Sequence, residues 1–123
     1  MKNQFVGSSL WSADLNNLVP FYRDTLGLQV SMESPNYVVF GGETQDSAWL
    51  GIGTHSEVRG TNNDPARHMV GLSSSDIHAD WQRLRDVGVE FIEEPTQYGE
   101  DMWIATLKDP EGNLVQLFEY RPR

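Results

Sequence analysis

Two stretches of this 123-residue chain repeat one pattern, and that repeat limits the available folds more than any other feature. The first runs from Asp14 through FYRDTLGL, Phe21 to Leu28. The second runs from Asp76 through WQRLRDVGV, Trp81 to Val89. Asp14 and Asp76 stand 62 residues apart, and Gly27 and Gly88 stand 61 apart. Each copy reads strand, Asp-started helix, glycine, strand. A unit of about 60 residues buries only about 60% of its unfolded surface, so the copies are expected to fold together or to pair with another chain. Two stacked copies can share a sheet and enclose a cleft, so the repeat points to a site as well as to a fold.

Hydrophobic spacing fills in the elements. A strand over Gln4 to Trp11 leads into a helix capped by Asp14 or Asn16. Leu15, Leu18, Val19, Tyr22 and Leu26 form its apolar stripe, Pro20 is expected in an early turn, and Gly27 supplies a left-handed cap. Three strands follow: Leu28 to Glu33, Tyr37 to Gly41 and Ala48 to Gly53. The polar stretch Thr54 to Pro65 reads as a connector. In the second copy a strand over Arg67 to Ser73 precedes a helix capped near Asp76, with Ile77, Trp81, Leu84 and Val87 as its apolar face. Strands near Val89 to Glu93, Met102 to Lys108 and Leu114 to Tyr120 complete it, the last two joined by the turn Asp109-Pro110-Glu111-Gly112-Asn113. The expected class is α+β: two tandem βαβββ modules, residues 4–56 and 66–120, in one domain with a curved, incompletely closed mixed sheet around a cleft.

A net charge of −9 excludes phosphate-rich partners, which need clustered Lys and Arg, so neither nucleic acid nor an anionic membrane surface is expected. The stretch Glu90, Glu93, Glu94, Glu100 and Asp101 reads as a solvated edge or as a rim that attracts a cation. With no cysteine, disulfides, thiolate metal sites and cysteine nucleophiles are excluded. MKNQFVGSSLW lacks the apolar core of a signal peptide, and no run approaches 18 apolar residues, so a cytoplasmic protein is expected.

The segments FYRDTLGL, Asp76-Ile77 and KDPEGNLVQLFE (Lys108 to Glu119) carry a family likeness. The chain resembles the vicinal oxygen chelate superfamily, which holds glyoxalase I, extradiol dioxygenases, fosfomycin-resistance enzymes and bleomycin-resistance proteins. The resemblance implies metal-ligand positions on the first and last strands of each module. These fall on Gly7, Met69, Gln116 and, by a looser alignment, Gly51. None is an imidazole or a carboxylate, and a divalent catalytic metal needs several such groups. No cofactor is therefore expected. A divalent metal enters only under an alternative, a glyoxalase-, lyase- or dioxygenase-type enzyme with displaced ligands such as His68 beside Gln116.

Strand alternation from those positions gives the candidate ligand-binding set: Gly7, Ser9, Trp11, Trp49, Gly51, Met69, Gly71, Gln116 and Phe118. The glycines are expected to leave volume, and the tryptophans to offer flat faces to an aromatic or cationic guest. Ser73 and Leu114 share these parities, while Leu10, Val70, Leu72, Val115 and Leu117 are expected beneath the helices, with Trp81 in the core. Tyr98 is read as part of a loop, either a lid or a surface turn. No Ser-His-Asp arrangement and no phosphate loop is readable. The reading is a small-molecule binding protein, a homodimer as the bleomycin-resistance branch implies.

Overall fold

The computed structural model describes residues 1–122 and divides the chain into two compact units that meet at Gly60–Thr61. Each unit carries its own four-stranded mixed sheet with a helix packed on one face, and neither sheet closes on itself. The α+β, βαβββ reading of each half is the architecture found.

In the first unit the sheet order is β1-β4-β3-β2, with β1 Gly7–Ser12, β2 Val30–Ser34, β3 Tyr37–Gly41 and β4 Trp49–Thr54. β1 runs parallel to β4; the other pairs are antiparallel. β1 starts at Gly7 rather than Gln4 because its partner β4 starts at Trp49, which pairs with Gly7. Phe5 and Val6 consequently lie exposed. Helix α1, Leu15–Pro20, is capped by Asp14, whose carboxylate accepts the Asn16 N–H at 3.0 Å. Its buried side chains Leu18 and Val19, with Tyr22 beyond, join Val38, Phe40, Leu50 and Ile52 of the strands in the core.

Pro20 corrects the expected helix. It ends the α-helical turn instead of opening it, and residues Phe21–Thr25 continue as a π-helical turn. The Leu26 N–H donates to the Phe21 carbonyl at 2.8 Å, five residues back. Proline lacks an N–H and crowds the carbonyl four residues earlier, and a wider turn is one way to absorb that conflict. Gly27, at φ +82°, ends the segment as expected.

The second unit repeats the plan in the order β5-β8-β7-β6, with β5 Val70–Ser73, β6 Phe91–Tyr98, β7 Met102–Lys108 and β8 Leu114–Tyr120. β5 pairs parallel with β8. Residues Pro65–Arg67 form a 3-10 turn, so the strand begins three residues later than its hydrophobic pattern implies. Helix α2, Ile77–Asp86, buries Ile77 and Leu84. Val87 lies just past it and is exposed, and Trp81 is half-buried beneath the Arg85 guanidinium, 4.3 Å from the ring centroid. β6 runs on to Tyr98, so that residue belongs to a strand and not to a loop. Pro95 falls where the register with β7 shifts, on an edge strand, and there a missing N–H costs no ladder bond.

Candidate functional site

Alternation along β3 and β4 sorts the first unit's sheet into two faces. Val38, Phe40, Leu50 and Ile52 are buried on the helix side. The other face carries Gly7, Ser9 and Trp11 of β1, Trp49, Gly51 and Gly53 of β4, and Tyr37 and Val39 of β3. Five of the sequence-predicted residues, Gly7, Ser9, Trp11, Trp49 and Gly51, are thus brought together on one surface.

The glycines do not leave empty volume there, which corrects the sequence-based picture. A methyl group on Gly7 would meet the Trp49 indole, one on Gly51 the Tyr37 phenol, and one on Gly53 both Tyr37 and Trp11. Each ring lies on bare backbone that only glycine provides. The Tyr37 hydroxyl is held by Ser9 at 3.0 Å, and the Trp11 and Tyr37 rings lie 5.8 Å apart at 44°. Trp11 also meets the edge of His55 at 5.7 Å, and the His55 Nδ1 accepts the Glu57 N–H at 3.1 Å. The result is a continuous aromatic platform, with Trp11 43% exposed.

Beside the platform lies a recess of about 520 Å³, bounded chiefly by Trp49, Tyr37, Val39, Met32, Ser31 and Glu43. A bulge builds one wall. Val30 pairs with Phe40 but Met32 pairs with Val39, so one extra residue, Ser31, is absorbed in β2. The bulge re-aims Met32 to the face of Val39. The Ser31 hydroxyl closes the gap by donating toward the Val39 and Gly41 carbonyls, at 3.1 and 2.6 Å. Tyr37, Val39, Met32 and Glu43 are absent from the sequence-predicted set. The parity of Tyr37 with Val39 and Gly41 was readable; the bulge that sets Met32 opposite Val39 was not.

In the second unit Gly71 pairs with Gln116 and Gln116 with Thr106, while Phe118 faces Ser73 and Ile104. Gly71, Gln116 and Phe118 therefore share a face as expected. The Phe118 ring covers Gly71, 3.0 Å from where a methyl carbon would stand. Met69 is half-buried and lies just before β5, outside the paired register.

Beneath that sheet Glu119 sits with its carboxylate buried and accepts the Ile77 N–H at the start of α2, at 2.7 Å. Its parity away from Gln116 is thereby confirmed. The Arg121 guanidinium pairs with it, lies 5.0 Å from the Trp103 ring centroid and contacts His78 Nδ1 at 3.2 Å. The hydrogen bond from Arg121, then that from Ile77, holds the Glu119 carboxyl below the usual carboxylate range despite burial. At the sheet edge the Tyr98 hydroxyl donates to both Glu93 oxygens, at 2.9 and 2.7 Å, and this bond raises its pKa above the ordinary phenol value.

The donor set does not fit the catalytic metal that the family resemblance implies. Gly7 and Gly51 carry no side chain and are roofed by rings, Met69 offers a soft thioether, and Gln116 a lone amide. His68 is exposed and lies outside the β5–β8 pairing, which begins at Val70. Among the described residues no three His, Asp or Glu side chains converge on a point where an ion would sit.

The model of the Glyoxalase/Bleomycin resistance protein/Dioxygenase superfamily matches residues 4–117. The chain belongs to this superfamily. Solved structures with the same fold include a protein of unknown function from Agrobacterium tumefaciens C58, with a TM-score of 0.75 at 20% identity, covering 97% of this chain and 95% of that one. A superfamily member from Sphaerobacter thermophilus gives 0.73 at 20%, covering 96% and 98%. A lactoylglutathione lyase from Agrobacterium tumefaciens gives 0.70 at 20%, covering 97% and 95%. At these identities the likeness establishes the superfamily fold and leaves the chemistry to the site. Among the described residues no helix of this superfamily member is long and apolar enough to cross a membrane.

Proposed function

We propose that this superfamily member is a metal-independent binding protein that captures a small organic molecule, cationic or aromatic, on the aromatic face of its first unit. The role is sequestration of an antibiotic-like compound by a cytoplasmic homodimer without a cofactor. One observation carries the reading: where relatives place metal ligands, Gly7 and Gly51 lie under the Trp49 and Tyr37 rings. Stacking and apolar burial then supply affinity, and the net charge of −9 speeds encounter with a cation. A lyase or dioxygenase reaction of the metal-dependent kind would need imidazole or carboxylate donors, and Met69 and Gln116 are poor substitutes.

The test pairs two measurements. Calorimetric titration with zinc, nickel, manganese and iron(II) is expected to show no stoichiometric site of micromolar affinity. Titration with cationic and neutral planar aromatics is expected to change tryptophan emission at micromolar concentration. One tightly held metal ion per chain with lyase or dioxygenase turnover would overturn the reading. Sedimentation at micromolar concentration is expected to give the mass of a dimer, and a monomer would remove that part of it.

A further inference from the structure

The recess beside Trp49 has a composition that selects among cations. Its walls are two aromatic rings, the Met32 thioether and Val39. Glu43 is the only charged side chain in the lining, and its carboxylate has no hydrogen-bond or ion-pair partner among the described residues. The two hydroxyls are engaged: Ser31 directs its single hydrogen to backbone carbonyls, and Tyr37 is tied to Ser9. The lining thus offers ring faces and one carboxylate, with few other groups left to replace lost hydration.

We infer that the recess takes a quaternary ammonium group, a cation with no N–H of its own, seated against the Trp49 and Tyr37 rings with Glu43 as its counter-charge. This rests on the binding reading above and narrows it to a chemical class. A primary ammonium carries three N–H donors; Glu43 can accept from one of them, while the rings and the thioether return little to the others for the water they lose. A quaternary ammonium has no donors to desolvate, spreads its charge over its methyl groups, and is drawn to aromatic faces. A neutral isostere fills the same volume but gains nothing from Glu43 or from the ring quadrupoles. The volume of about 520 Å³ holds a trimethylammonium head with room for its substituent.

Three small probes separate these cases: choline, its uncharged isostere 3,3-dimethylbutan-1-ol, and the ethanolammonium ion, which keeps the charge but carries N–H donors in place of methyl groups. Binding is read by NMR from the indole N–H resonances, assigned with single Trp→Phe variants of the four tryptophans. Choline is expected to move the Trp49 resonance and to bind about tenfold more tightly than either competitor. Glu43→Gln, at an exposed position where folding is undisturbed, is expected to weaken choline about fivefold and to leave the alcohol unchanged. Equal binding of the alcohol, tighter binding of ethanolammonium, or a choline preference untouched by Glu43→Gln overturns the inference. If planar neutral aromatics still move Trp49 in that event, the broader binding reading stands. If none of these compounds moves it, both fall.

Discussion

The two units share one chain path and differ in what they lay on the sheet face away from the helix. In the first, three rings rest on glycine backbone and form a platform. In the second, Gln116, Thr106, Ile104 and Ser73 lie around Phe118, the one ring there that covers a glycine among the described residues. The helix sides differ in the opposite sense. α1 has one capping carboxylate, Asp14, whereas α2 has Asp76 on the Ala79 N–H and also the buried Glu119 on the Ile77 N–H. The first unit has placed its distinctive chemistry on the open face, the second beneath its helix. A repeat thus fixes the path of the backbone while leaving each face free to diverge.

The sharpest way to break this contrast is to crowd one ring-covered glycine in each unit. Gly51→Ala is expected to destabilise the protein by about 3 kcal/mol, because the added methyl falls on a rigid phenol held by Ser9. Gly71→Ala meets only the edge of Phe118 and is expected to cost less than about 1 kcal/mol. Urea unfolding of both variants decides it, and equal costs would show that the platform is not tightly seated.

Glu119→Gln comes next, at about 2 kcal/mol, since it weakens a buried charged acceptor at the start of α2. Its pH dependence has a definite sign. The folded pKa is lowered, so the stabilisation is present above the carboxyl's unfolded value near 4.5 and is lost as pH falls through the lower folded value. The acid limb of a urea-midpoint profile should therefore be shallower in the variant. An unchanged limb would remove Glu119 from the account of α2.

For ligand capture, Trp49→Ala is expected to weaken binding about tenfold, and Gln116→Ala to leave it unchanged, in the same fluorescence titration. The reverse order would move the site to the second unit. The smallest effect belongs to Arg23. Its pair with Asp24 is exposed on both sides, unlike Arg121 on buried Glu119, so Arg23→Gln should leave the urea midpoint unchanged while Arg121→Gln lowers it.

Much of this was legible in the residues. Asp14, Gly27, Asp76 and Gly88 mark the helix boundaries because caps and left-handed turns admit few residue types. β3, β7 and β8 fall on their expected spans because turn residues close both ends. Tyr98 and Met32 escaped because bulges at Pro95 and Ser31 decide their strands, and a bulge leaves no periodic signal. The glycines misled for a physical reason. A missing side chain reads as space in one dimension, but the register of β3 against β4 sets Tyr37 beside Gly51 and Gly53, and a ring fills what the glycine vacates.

The wide turn after Pro20 has a consequence for how the chain tolerates change in length. A turn closed over five residues instead of four holds one residue more than an α-helix of equal rise. Removing a single residue between Phe21 and Leu26 would let the backbone rewind to ordinary pitch and still arrive at Gly27 in phase. This stretch can therefore act as slack, absorbing an insertion or deletion before it reaches the strands on either side.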